Sequence, residues 1–303
     1  MSSIIEVSQL RKTYGTTVVV DDISFEVKKG EIFGIVGPNG AGKTTLVESA
    51  MGLRRPDGGS VRILGLDPQT ESKALRQRLG IQLQEASLPD YLKVWEALDL
   101  FSTFYEQTVP WEMLLAQWGL SEKRNSRFKN LSGGQKQRLF IALALLNDPE
   151  IVFLDELTTG LDPQARRATW EMVKSIREQG KTVILVTHFM DEAEVLADRI
   201  AIIDQGKVVA LDTPQALIQG LKAGSSIRFS SANGFDAARL RQVDGVTEVS
   251  QQDQQVIVRG NGPLLFRIAA ALNEQAFMPT DLRMEQADLE DVFLALTGRA
   301  IRV

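Results

Sequence analysis

The chain has 303 residues, 44% of them hydrophobic, which is more than one small core uses and suits a large domain with a smaller companion. Its formal net charge of -5 leaves no broad basic surface for a phosphate backbone, so nucleic acid is not expected as a partner. There is no cysteine, hence no disulfide framework and no thiolate metal site, and the chain suits a reducing compartment.

The stretch Met1–Leu10 has no basic residue and no long apolar run, so it does not read as a secretion signal. The longest apolar runs, Ile141–Leu146 and Ile151–Leu154, fall far short of the roughly 20 residues of a membrane helix, so any work at a membrane would pass through another chain. Ile4–Val7, Val18–Val20 and Ile23–Val27 are short β-rich runs between turn signals, and Ile32–Val36 runs into a glycine-rich loop. From Ala74 to Leu146 the spacing turns helical, with Trp95, Leu98, Phe101, Phe104 and Tyr105 three and four apart. A helical insertion is expected at about 85–147. Ile151–Leu154 and Val183–Thr187 then flank a helix around Ala165–Glu178, the alternation of a parallel sheet. A hairpin follows, Ile200–Asp204 and Lys207–Leu211, turning at Gln205-Gly206.

Gly220–Ser226 is small and flexible, and it marks a boundary between a first domain at 1–220 and a second at 226–303. The second reads as strand Ile227–Ser230, helix Asp236–Gln242, strands Thr247–Ser250 and Gln255–Arg259, helix Pro263–Asn273, strand Asp281–Glu285 and helix Leu289–Leu296. That order predicts a small α+β unit of ferredoxin-like type.

Gly37-Pro38-Asn39-Gly40-Ala41-Gly42-Lys43-Thr44 fits the P-loop pattern and lies where its mechanism needs it, between an apolar strand and a helix. Its glycines let successive backbone N–H groups turn inward around phosphate oxygens, and the helix adds its positive amino-terminal end. Lys43 would then reach the β- and γ-phosphates of ATP, and the Thr44 hydroxyl would meet Mg²⁺. Ile151–Glu156 supplies the complement, a buried strand delivering Asp155 to the metal and Glu156 to the attacking water.

Leu131-Ser132-Gly133-Gly134-Gln135-Lys136-Gln137-Arg138 resembles the signature sequence of ABC ATPases, and the resemblance covers residues 1 to about 220. It implies an α/β P-loop fold with a helical insertion, and a dimer in which Ser132, Gly133, Gly134 and Gln135 of one copy bind the γ-phosphate held by the stretch Gly37–Thr45 of the other. Ser132 and two glycines at a helix start suit an anion. The same resemblance implies further roles: Tyr14 stacking on adenine, Gln84 meeting Mg²⁺ and the water, Asp162 in the loop Thr159-Gly160-Leu161-Asp162 crossing to the partner, and His188 touching the γ-phosphate. Gln82 competes with Gln84 for its role, and His188 is the chain's only histidine. Leu157 stands where the family usually has proline, so the loop leading to Asp162 is expected to be less stiff.

The carboxy-terminal ending Leu289–Gly298 resembles exporter ATPases of the daunorubicin-resistance type, a multidrug class. The resemblance therefore implies an ATP-hydrolysing subunit that pairs with itself and with a separate membrane permease, held at the cytoplasmic face of the cell membrane through that permease. Its cargo would be drugs, lipids or other amphipathic molecules. The alternative is a soluble ABC ATPase of translation or DNA maintenance. Those usually carry two cassettes or long coiled-coil insertions, whereas this chain has one cassette and a compact insertion.

Overall fold

The computed structural model describes residues 2–83, 87–221, 226–231, 236–252, 254–260, 262–275, 277–285 and 287–298. Two compact units divide the chain, 1–214 and 215–300 among the described residues. The division falls a few residues before the boundary expected at 220.

Alternating apolar residues give the first unit a long hairpin, β1 (Ser3–Tyr14) and β2 (Thr17–Lys28), whose inward set includes Ile5, Val7, Leu10, Val20, Ile23 and Val27. The sequence reads as several short runs because the antiparallel register shifts between Val7 and Leu10 and again at Lys12, with Gln9 and Asp22 at φ 49° and 56°. Such bulges offset the alternation without ending the strand. β3 (Ile32–Val36) is buried throughout and leads through the glycine loop into α1 (Lys43–Ala50). β4 (Gly58–Ile63) joins the hairpin in a three-stranded sheet of order β2-β1-β4.

The next stretch begins with α2 (Ser72–Arg76) and β5 (Leu79–Gln82), continues through α3 (Val94–Ser102), α4 (Trp111–Gln117) and α5 (Gly133–Ala144), and returns to the sheet as β6 (Ile151–Asp155). β5 lies inside the span that the sequence spacing assigns to helix. It holds only four residues, too few to show a period of two, and its Gly80 packs beneath the α5 backbone, where a Cβ would run into the Ala144 carbonyl oxygen. α6 (Pro163–Glu178), β7 (Thr182–Thr187), α7 (Met190–Leu196), β8 (Arg199–Asp204) and β9 (Lys207–Asp212) complete a six-stranded sheet of order β5-β6-β7-β3-β8-β9. Its pairs are parallel except β8 with β9. One apolar cluster joins Leu10, Ile23 and Val27 of the hairpin, Leu46 and Val47 of α1, and Phe33, Phe153 and Ile184 of the large sheet. The glycine loop is thereby anchored at both ends in the same core.

In the second unit, α8 (Pro214–Gly220) precedes β10 (Ser226–Ser230), a 3-10 segment at Ala237–Gln242, β11 (Val246–Gln252), β12 (Gln255–Gly260), α9 (Leu264–Glu274), β13 (Arg283–Glu285) and α10 (Leu289–Thr297). The strands pair antiparallel in the order β11-β12-β10-β13, the ferredoxin-like arrangement. Ile227, Phe229, Val256 and Val258 pack on Leu264, Ile268 and Leu272 of α9 as a separate core.

Candidate functional site

Parallel pairing brings the chemistry to one edge of the large sheet. Val36 lies opposite Thr187, and Asp155 opposite Val186, so the residues that follow these strands, Gly37, Glu156 and His188, all emerge at the carboxyl ends of adjacent strands.

The loop from Gly37 to Gly42 is shaped by close packing. Gly42 has φ 100°, and a Cβ there would strike the Val19 carbonyl oxygen of β2. Gly40 has φ 80° with open space around it, so its backbone faces outward. No side chain caps the start of α1, and no acid sits in its first turn. Uncapped N–H groups at a helix start attract an anion. Lys43 is buried, and its Nζ donates to the carbonyls of Gly37 at 2.8 Å and Pro38 at 3.1 Å. Burial lowers its pKa, while Glu156 and Asp155 pull it back up. Thr44 is exposed and Thr45 half-buried.

Asp155 ends a strand buried at every position and is itself 3% exposed. Burial first, then repulsion from Glu156, raises its pKa to about 6, with Lys43 opposing and Glu48 adding to the rise. Its Oδ1 is buried without a hydrogen-bond partner among the described residues. Such an atom is expensive to bury unless something arrives to meet it. A Mg²⁺ ion, which takes one or two protein oxygens and completes its shell with water and phosphate, fits this donor set of the Asp155 carboxylate and the exposed Thr44 hydroxyl.

Glu156 sits at φ 49°, a left-handed conformation that a glutamate rarely adopts, fixed by its own N–H donating to the Val186 carbonyl at 2.9 Å. The side chain thereby meets His188, with Nδ1 3.1 Å from Oε1, and both side chains are 8% exposed. The Thr159 hydroxyl reaches Oε2 at 3.4 Å. Leu157 is 1% exposed, so packing holds the segment that proline would otherwise stiffen.

Ser132 caps α5. Its Oγ accepts from the Gln135 N–H at 3.3 Å, and the Gln135 Oε1 accepts from the Ser132 N–H at 3.0 Å. Ser132, Gly133, Gly134 and Gln135 line a surface concavity of about 370 Å³ together with Gly160 and Asp162. Asp162 caps α6, its Oδ1 accepting from Gln164 N–H at 3.0 Å and Ala165 N–H at 2.9 Å, with Pro163 in the first turn.

Tyr14 stands at the end of β1, 42% exposed, beside the Lys12 ammonium and the Arg54 guanidinium, and its hydroxyl accepts from Arg54 at 2.9 Å. Gln84 lies outside the described residues. Gln82 is 5% exposed at the end of β5 and donates to the Leu83 carbonyl at 2.9 Å. Sequence reasoning missed two parts of this edge. The turn at Gly206 donates to the Ala41 carbonyl at 3.0 Å and so touches the glycine loop. Glu192 of α7 accepts from Thr158, two residues after Glu156, and from Trp170. An acid among Met190, Ala193 and Leu196, the buried set of a short helix, was the available signal.

A parallel sheet, a glycine loop opening a helix, and a buried Asp-Glu pair at the same edge define a P-loop nucleoside triphosphatase, and a second loop of Ser-Gly-Gly-Gln at a helix start narrows that class. A family model described as ABC transporter matches residues 20–159. The chain is 39% identical over 311 residues to the Nod factor export ATP-binding protein I of Cupriavidus pinatubonensis, covering 100% of this chain and 93% of that protein. Among solved structures, an ATP-binding subunit of an ABC transporter is similar at a TM-score of 0.65 and 28% identity, covering 72% of this chain and 93% of that one. A dimeric ATP-binding cassette bound to ADP and Pi in a post-hydrolysis state is similar at 0.61 and 28%, covering 69% and 98%. This chain belongs to the ABC transporter family, as an ATP-binding and ATP-hydrolysing subunit. No helix among its described residues is long and apolar enough to cross a membrane.

Proposed function

We propose that this subunit powers a separate export permease, that two copies close head to tail over two ATP molecules, and that the candidate residues divide the work as follows. The stretch Gly37–Thr45 cradles the phosphates, with Lys43 exchanging the Gly37 and Pro38 carbonyls for phosphate oxygens. Tyr14 stacks on the adenine. Asp155, Thr44 and Gln84 would hold Mg²⁺, which when bound neutralises charge on the phosphates. Glu156 accepts a proton from water as the water oxygen bonds to the γ-phosphorus and the bond from phosphorus to the β,γ-bridging oxygen breaks, releasing ADP. His188 orients that carboxylate through its Nδ1 and contacts the γ-phosphate. Ser132, Gly133, Gly134 and Gln135, with Asp162 beside them, complete the partner's site.

The observation that carries this reading is the pairing of Glu156 with His188 at 3.1 Å on a strained backbone beside Lys43 and Asp155. Strain held by tertiary contacts marks a position whose geometry matters. Export is supported by the name of the relative from Cupriavidus, which concerns a Nod factor, and by the resemblance of the carboxy-terminal ending to multidrug exporters. Both point to amphipathic cargo recognised by the permease. The permease would hold this subunit at the cytoplasmic face of the membrane.

Glu156→Gln tests the assignment. Turnover should fall by about 10² to 10⁴ with ATP binding intact, the range expected for loss of a general base. The variant should elute as a dimer with ATP and as a monomer without it. Turnover near the normal rate would remove Glu156 from its role.

A further inference from the structure

Thr158 and Thr187 stand on the two segments that carry the reacting edge, Thr158 two residues after Glu156 and Thr187 one before His188. Both are buried, at 2% and 0% exposure, and so is Glu192 of α7, four residues after His188 and 0% exposed. The Thr158 hydroxyl donates to Glu192 Oε1 at 3.0 Å. The Trp170 indole N–H of α6 donates to the same oxygen at 3.0 Å. The Thr187 hydroxyl accepts from the Phe189 N–H at 3.0 Å, just ahead of α7. A buried carboxyl is retained here where an apolar side chain would fill the space at less desolvation cost.

The same knot extends to the imidazole. Arg166 of α6 lies over the Trp170 ring at 5.2 Å and over the Phe189 ring at 4.4 Å, and the Phe189 ring lies 4.0 Å from that of His188. Arg166 also pairs with Asp191 on α7. α6 begins at Asp162, so the strand ends bearing Glu156 and His188 and the helix that starts beside the Ser132 concavity are tied to one carboxylate.

We infer that Glu192 is a positioning residue for hydrolysis, fixing the Glu156 segment, the His188 segment and α6 as one unit so that the general base and its imidazole partner keep their mutual geometry. It acts through its bonds to Thr158 and Trp170 and through its own place on α7, four residues after His188. It also replaces the stiffness that proline at position 157 would supply, since the residue after Leu157 is the one it holds. The inference rests on the reading of Glu156 as general base.

Steady-state hydrolysis and thermal melting of the full chain test it, with Glu192→Ala, Glu192→Gln, Thr158→Val, Trp170→Phe, the double variant Glu192→Ala/Thr158→Val and Glu156→Gln measured together. Thr158→Val keeps the side-chain shape and removes one donor, and should lower kcat by about 3- to 10-fold with KM within about threefold. Glu192→Ala should lower kcat by about 10- to 100-fold, and the double variant should be no worse, because both changes cut the same link. Glu192→Gln keeps an oxygen acceptor for Thr158 and Trp170 and should recover kcat to within about threefold of the parent. Normal kcat in Glu192→Ala, a change confined to KM, or losses that add in full would each overturn the inference. If Glu192→Ala does not fold, Thr158→Val and Trp170→Phe decide, and normal kcat in both overturns it. Glu156→Gln separates the two readings: normal turnover there defeats the general-base assignment, whereas an inactive Glu156→Gln beside normal Glu192 and Thr158 variants defeats only the positioning role.

Discussion

Asp155 shows how a carboxylate is held against its own solvation. Its carboxyl titrates near 6 rather than at the ordinary 3.8 because it is buried beside Glu156. A raised carboxyl pKa in the folded chain means that the proton is bound more tightly folded than unfolded. The contribution to stability is therefore full below about pH 4 and is withdrawn as pH rises through about 6. At neutral pH the ionised carboxylate destabilises the nucleotide-free chain by about 1 to 3 kcal/mol. Asp155→Asn should raise the melting temperature of the nucleotide-free chain at pH 7.5 in chelator, flatten the stability change between pH 4 and 6, and abolish turnover. Melting below the parent at pH 7.5 would mean that the carboxylate is already compensated within the protein. Lys43 offsets the destabilisation only in part, because its own burial works against its charge.

The β8–β9 hairpin is the element through which the far end of the first unit touches the glycine loop. Its turn places Gln205 at φ 48° and Gly206 at φ 75°, and Gly206 donates to the Ala41 carbonyl while its own carbonyl accepts from Asp21 at 2.8 Å. A Cβ at Gly206 would meet the Val19 carbonyl of β2, the atom that also limits Gly42. Gly206→Ala should therefore cost about 1 to 3 kcal/mol of stability and also weaken ATP binding by about 3- to 30-fold, as measured by nucleotide titration below the melting transition. Loss of stability with unchanged affinity would make the contact a matter of folding alone. The hairpin itself was legible, since Gln205-Gly206 between two apolar runs is a turn signal. Its contact with Ala41 was not, because nothing local in either segment refers to the other.

For the whole molecule, the second unit has its own core of Phe229, Val256, Val258, Leu264 and Ile268, and the first is closed by the cluster around α1. A chain ending at Pro214 should therefore fold and bind nucleotide, with a single cooperative melt. An unfolded product would mean that the first unit depends on the remainder. In the full chain, hydrolysis per molecule should rise with protein concentration if, as proposed, each site is completed by Ser132 of a second copy. Specific activity that stayed flat down to nanomolar concentrations would point to a self-sufficient monomer or a preassembled dimer.

The glycine loop, the Asp155-Glu156 strand and the Ser132 loop were legible in the sequence, since each depends on contiguous residues whose spacing is itself the mechanism. The ferredoxin-like order of the second unit was legible for a similar reason, its strands and helices being separated by clear turns. β5 was hidden because four residues carry no period, and the length of β1 and β2 because bulges break the alternation that marks a strand. The meeting of Glu156 with His188, the left-handed backbone at Glu156, the burial of Asp155 Oδ1 and the bonds of Glu192 to Thr158 and Trp170 were decided by tertiary structure alone. They arise from parallel strand pairing that sets residues 32 and 151 positions apart at one edge, and side chains at such separations find their partners only when the sheet has formed.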